Sequence, residues 1–287
     1  MNIWIEGARP KTLIASVSPV LLGTVIAYDA GAFNFWVFLA TLLFALCVQI
    51  GTNFANDYID FVKGSDTSER KGPRRLVQAG LVSVQKMRAV TAGIFALAGL
   101  LGIYLMTVGG WQIGALALLA IIFGYLYTGG PYPLGYLGLG DLFVLIFFGP
   151  VAVAGTTYLQ TETLSSLAII TGFAPGLLST ALLAMNNLRD VEQDRKANKK
   201  TLPVRFGVAF GKWETVVCLL VPCLIPFVLY NLTHAHLLSL TSIGCLILIT
   251  PLIRALLTHS ELGPLFPQVG KILTLFTLLF TLGWVLS

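Results

Sequence analysis

A chain of 287 residues that is 56% hydrophobic and only 11% charged cannot coat a water-soluble globule, which normally devotes about a quarter of its residues to charge. Lipid is the expected solvent. The net charge of +5 is expected to lie beside anionic lipid and an anionic substrate, which excludes a nucleic-acid role.

A bilayer core needs about 20 apolar residues per helix, or as few as about 17. Nine segments qualify: Thr12–Tyr28, Phe33–Ala55, Ala89–Val108, Trp111–Tyr127, Leu142–Tyr158, Leu164–Met185, Trp213–Leu232, Leu237–Ile253 and Ile272–Leu286. Met1–Thr12 lacks the pattern of a cleavable signal, so the first run is expected to be retained. Leu, Ala and Gly fill these runs without the period-two alternation of barrel strands. The expected fold class is all-α: one polytopic membrane domain over 1–287, with nine transmembrane helices around a central cavity that opens to the cytoplasmic side.

Cytoplasmic loops collect Lys and Arg. With the N-terminus inside and the C-terminus outside, all 18 basic residues fall on the inner side. The expected location is a bacterial inner membrane. Cys47, Cys218, Cys223 and Cys245 sit in apolar runs without a metal spacing and read as small buried hydrophobes. No ligand pattern joins His234, His236 and His259.

Two inner loops are long and charged, Asn56–Arg88 and Asn187–Lys212. They follow spans two and six, which suggests two diverged halves of four helices each, about 1–160 and 161–287. Each loop opens on an acidic run. Asn53, Asn56, Asp57 and Asp60 are spaced i, i+3, i+4 and i+7, so on a helix they share one face, and Asp66 follows. Asn187, Asp190 and Asp194 share a face by the same geometry.

Like charges at this spacing repel unless a cation lies between them. Mg²⁺ is the natural answer, because it takes one or two carboxylates and completes its shell with water and phosphate oxygens. Asn56, Asp57, Asp60, Asp190 and Asp194 are the expected metal ligands. Basic residues follow each run: Arg74 and Arg75, then Lys199, Lys200 and Arg205. They suit the remaining oxygens of a diphosphate.

The chain resembles the UbiA superfamily of intramembrane prenyltransferases, and within it the branch that acts on 1,4-dihydroxy-2-naphthoate. The resemblance rests on Arg9-Pro10-Lys11-Thr12, Asn53-Phe54-Ala55-Asn56-Asp57-Tyr58 with Asp60, Lys71-Gly72-Pro73-Arg74, Gly129-Gly130-Pro131-Tyr132, Gly138-Leu139-Gly140-Asp141 and Asn186-Asn187 with Arg189-Asp190. The general family pattern places a third acid where this chain has Gly64, and opens the second motif with an acid where this chain has Asn187.

The resemblance implies transfer of a polyprenyl group from polyprenyl diphosphate to the naphthoate with loss of carbon dioxide, yielding demethylmenaquinol for menaquinone biosynthesis. Asp57, Asp60, Asp190, Asp194 and Lys11 are the expected catalytic residues. Asn53, Asn56, Arg74, Tyr127, Tyr132, Asp141, Asn187, Arg189 and Lys200 are expected to bind substrate. Lys11 or Arg9 would hold the acceptor's carboxylate or a phosphate oxygen. Tyr125, Tyr127 and Tyr132 are candidates to face the allylic cation. The Gly-rich stretch Gly129–Gly140 reads as a mobile connector. Two other readings stand beside this one: another aromatic acceptor, such as 4-hydroxybenzoate, and a transporter of an anionic metabolite. Transporters usually carry polar, broken helices at the midplane, whereas here no charged residue falls deep inside a span.

Overall fold

The computed structural model describes residues 2–66, 72, 74–259 and 262–287, so Arg70 and Lys71 lie outside the described residues. Every regular element among them is helical. In chain order these are α1 (Ile3–Ala8), α2 (Pro10–Asp29), α3 (Phe35–Val62), α4 (Val84–Leu126), α5 (Gly140–Phe147), α6 (Pro150–Thr161), α7 (Ser166–Arg189), α8 (Val191–Lys196), α9 (Leu202–Phe206), α10 (Val208–Leu220), α11 (Ile225–Thr233), α12 (Leu246–Thr258) and α13 (Phe266–Val285). Side chains cap three of the long helices: Asn34 accepts from Trp36 N–H, Ser83 from Lys86 N–H and Ser165 from Ala168 N–H.

Eight helical stretches among the described residues are long and apolar enough to cross a membrane. The segments expected over Ala89–Val108 and Trp111–Tyr127 fall together in one of the eight, Val84–Leu126. That stretch is a hairpin. At Gly110 φ is 81°, a left-handed value that glycine reaches at no steric cost. A Cβ added at Gly102 would meet the Cβ of Ala117 at 3.2 Å, although an unbroken helix would hold these positions about 22 Å apart. Elsewhere Pro222 and Pro226, which cannot donate a helical hydrogen bond, divide Val208–Thr233 into α10, a 3-10 turn and α11.

The largest apolar core joins α2, α6, α7, α10, α12 and α13, and holds Phe276, Phe280, Leu219 and Leu252. A second cluster of Phe54, Tyr58, Leu76, Val77 and Met87 braces the end of α3. Large apolar side chains such as Trp36, Leu100, Ile103 and Ile247 remain exposed, as faces turned to lipid should be. This packing brings the far ends of α3 and α7 to a common cavity.

Candidate active site

α3 runs past its apolar stretch to Val62, so the first acidic run stays helical. Residues at its spacing fan over an arc of about 100°, too wide for one wall. Asn56 and Asp60 face a polar cavity. Asn53 and Asp57 face backbone instead. Asn53 Nδ2 donates to the Ala8 carbonyl at 2.9 Å, which fixes the turn at Arg9. Asp57 accepts from the N–H groups of Leu76 and Val77, both at 2.9 Å, one on each carboxylate oxygen. It thereby holds the turn that brings Arg75 into the cavity wall.

Asp60 accepts from three side chains. Arg75 Nη2 donates to its Oδ2 at 3.2 Å, Lys199 Nζ to the same oxygen at 3.1 Å, and Tyr136 Oη to Oδ1 at 2.8 Å. Asp66 lies 3.1 Å from Arg75 Nε. Arg75 is 4% exposed, lines the cavity, and keeps a buried Nη1 without a hydrogen-bond partner among the described residues. Leaving such a donor unmet is costly, so the cavity is built for an anion. Burial first, then the charge of Asp60, pushes the Tyr136 phenol well above its usual range; it stays protonated and donates. Burial pulls the Lys63 ammonium below its usual value, against the opposing pull of Asp60.

The second acidic run is not one helix. α7 ends at Arg189, Asp190 sits at the break with φ −99° and ψ 8°, and α8 restarts at Val191. Freed from a single helical arc, Asn186, Asn187, Asp190, Gln193 and Asp194 all line the same cavity. Arg189 grips Asp190 with two bonds, Nε to Oδ1 at 2.7 Å and Nη2 to Oδ2 at 2.6 Å. Asp60 and Asp194 therefore share one cavity, at one end of the molecule.

The Gly-rich stretch is fastened, contrary to its expected mobility. Gly135 N–H bonds the Tyr127 carbonyl at 2.9 Å, and Lys200 N–H bonds the Tyr136 carbonyl at 2.8 Å. Arg205 donates to the carbonyls of Leu137 at 2.7 Å and Lys200 at 3.0 Å. Gly138 sits at φ 69°, and a Cβ there would run into the Lys200 carbonyl. The strap so formed carries Thr128, which donates to Asn56, and Tyr136 over the cavity.

Beneath the polar cavity lies an apolar chamber between α2, α3, the second arm of α4, α5 and α6. Phe44, Phe123, Phe143, Phe147 and Phe148 line it. Tyr127 belongs to both spaces. Burial drives its phenol above the usual range, with Asp141, Asp194 and Asp60 adding to the effect, so it too stays neutral.

Several expected residues fall elsewhere. Lys11 is exposed on a separate groove, because the left-handed turn at Arg9 sends Arg9 into the cavity and Lys11 away. Arg74 and Lys200 are exposed while their neighbours Arg75 and Lys199 point inward. Tyr132 is 76% exposed, and Tyr125 lines neither space. Asp141 is buried behind Asn187, whose Nδ2 approaches it at 3.5 Å. Arg75, Lys199 and Arg9, each named above as a candidate anion contact, line the cavity, together with Thr128 and Tyr136, which the sequence reading did not single out. For Tyr136 the available signal was an uncharged Gly/Pro/Tyr segment between two charged loops.

The donors around the cavity are carboxylate, amide and hydroxyl oxygens, the set a hard cation takes. Among the described residues no three Asp, Glu, His or Cys side chains converge on one point. A small ion would thus use one or two carboxylates and finish its shell on the substrate.

Residues 16–263 match the UbiA prenyltransferase family. The chain is 38% identical to a 1,4-dihydroxy-2-naphthoate octaprenyltransferase of Haemophilus influenzae, over 100% of this chain and 97% of that one. It is 38% identical to the protein of the same description in Escherichia coli, over 99% and 95%. Its fold is similar to the apo structure of a UbiA homolog from Aeropyrum pernix K1, with a TM-score of 0.73 at 14% identity over 97% and 98% of the two chains. It is also similar to a UbiA homolog from Archaeoglobus fulgidus bound to DMAPP and Mg2+, with a TM-score of 0.63 at 16% identity over 99% of each.

Proposed function

Because the chain belongs to the UbiA prenyltransferase family, we propose that it joins a polyprenyl group from polyprenyl diphosphate to 1,4-dihydroxy-2-naphthoate, releasing diphosphate and carbon dioxide. The product is demethylmenaquinol. One observation carries this reading: a charged cavity and a phenylalanine-lined chamber meet at Tyr127. A diphosphate head fits the first and its apolar tail the second. The chain is a multi-pass membrane protein. We place its polar end at the cytoplasmic face of a bacterial inner membrane, with the N-terminus inside and the C-terminus outside, because its basic residues gather at that end.

Mg²⁺ would be held by one or two of the carboxylates Asp60, Asp190 and Asp194 with amide oxygens such as that of Asn56, all of which line one cavity. Asp57, expected among the ligands, has both oxygens on backbone N–H groups and acts by holding the Arg75 turn. When bound, the ion offsets the charge that collects on the departing diphosphate.

The chain's own residues do the rest. Arg75 and Lys199 bond phosphate oxygens and stabilise the leaving group as the carbon–oxygen bond breaks. The allylic cation left behind faces the Tyr127 ring. The strap over the cavity limits the water that would quench it. Arg9 holds the carboxylate of the naphthoate, whose electron-rich ring carbon then attacks the cation. The carboxylate leaves as carbon dioxide.

The test is incubation of the purified protein in vesicles with Mg²⁺, a polyprenyl diphosphate and either 1,4-dihydroxy-2-naphthoate or 4-hydroxybenzoate, followed by product mass. Decarboxylated prenyl naphthoquinol is expected from the first acceptor only, and chelation should stop its formation. A prenylated benzoate, or no diphosphate release with either acceptor, overturns the proposal.

A further inference from the structure

Away from the cavity, α2 and α13 leave a groove lined by Pro10, Lys11, Ile14, Leu182, Gly270, Lys271, Thr274, Leu275 and Leu278, among others. On α13, Lys271, Thr274, Leu275 and Leu278 are spaced i, i+3, i+4 and i+7, which makes one face of the helix. On α2, Lys11 and Ile14 repeat the order of charge then hydrocarbon. The groove therefore has two ammonium groups at the membrane-surface end and aliphatic walls running inward from them. Both lysines are exposed, and among the described residues neither has an ion-pair partner. The groove stays open because Gly270 has no side chain; a Cβ there would project into it, 3.6 Å from the Lys11 carbonyl oxygen. Deeper in, a 2.6 Å bond between Ser18 and Thr277 pins the two helices together, so a chain seated in the groove stays outside the core.

We propose that this groove is a binding site for an anionic phospholipid, with its phosphate between Lys11 and Lys271 and one acyl chain along Ile14, Leu275 and Leu278. Charge complementarity selects that occupant. Basic pockets between helices at the membrane surface attract anionic head groups. Among the described residues no carboxylate lines this groove, so they do not supply the ligands that a metal-bound diphosphate takes.

The experiment is native mass spectrometry of the protein released from vesicles containing equal phosphatidylglycerol and phosphatidylcholine. The wild type should retain phosphatidylglycerol in preference by about tenfold or more, since each lysine near the surface is worth about fivefold. Lys11→Gln with Lys271→Gln should erase the preference. Gly270→Leu, which leaves both charges in place, should reduce retention of either lipid, and thermal unfolding checks that each variant is folded. Equal retention by the wild type overturns the site, as does an unchanged preference in the folded double variant. Displacement of the retained lipid by geranyl diphosphate would give the groove to the donor substrate and also overturn it.

Discussion

The two acidic runs look alike on paper and are wired differently in space. The first rides a continuous helix, so the fixed angular step per residue splits it, with Asn56 and Asp60 turned to the cavity and Asn53 and Asp57 turned to backbone. The second crosses a helix break at Asp190, and five of its polar side chains reach the cavity. A break in a helix can thus turn more polar side chains into one cavity than an unbroken stripe does. The first run spends half of its polar groups on holding Arg9 and Arg75 in place.

Mutations can break or sharpen this contrast. The largest effect is expected at the acids that face the cavity. Asp60→Asn and Asp194→Asn should each lower turnover by roughly a thousandfold, equivalent to about 4 kcal/mol of lost leaving-group stabilisation. Diphosphate release is the measurement, and near-normal turnover in Asp194→Asn would mean that the second run is scaffold.

Next comes the arginine pair. Arg75→Gln should cost about a hundredfold in kcat/KM, in line with loss of a charged hydrogen-bond donor worth about 3 kcal/mol, while Arg74→Gln stays within about twofold. Equal losses in the two variants would erase the inward assignment of Arg75.

Asp57 should behave as a positioning residue. Asp57→Ala leaves two N–H groups unmet, and unfolding should show a stability loss of about 1–3 kcal/mol, with Asp57→Asn recovering part of it through its remaining oxygen. An Asp57→Ala protein of unchanged stability that needs much more Mg²⁺ would restore Asp57 to the metal. The smallest effect is expected from Lys200→Ala, whose role lies in its backbone; activity should stay within about twofold of wild type, against about tenfold loss for Lys199→Ala.

Helix class, membrane character and the two acidic regions were readable because they rest on long runs and on charge sorting, signals that survive small errors of register. The hairpin was readable from Gly109-Gly110 between two apolar runs. What failed was phase outside helices. With no helical period to orient them, Arg74 and Arg75 are indistinguishable in sequence, as are Lys199 and Lys200, and in each pair the structure turns the second or the first inward according to local turns. Lys11 failed for a related reason, since the left-handed backbone at Arg9 reverses the facing of its neighbours. The strap was missed because glycine reads as freedom, whereas its fastening comes from carbonyl groups that composition does not reveal.

The contact between Gly138 and the Lys200 carbonyl bears on how this scaffold can be re-engineered. One segment comes from the first half of the chain and the other from the second, and they meet where only a hydrogen atom fits. A graft that replaces the first half with that of a homologue must keep glycine at position 138, because any side chain there would collide with a backbone carbonyl. Losing it would lift the strap off the cavity even with every acidic residue left in place.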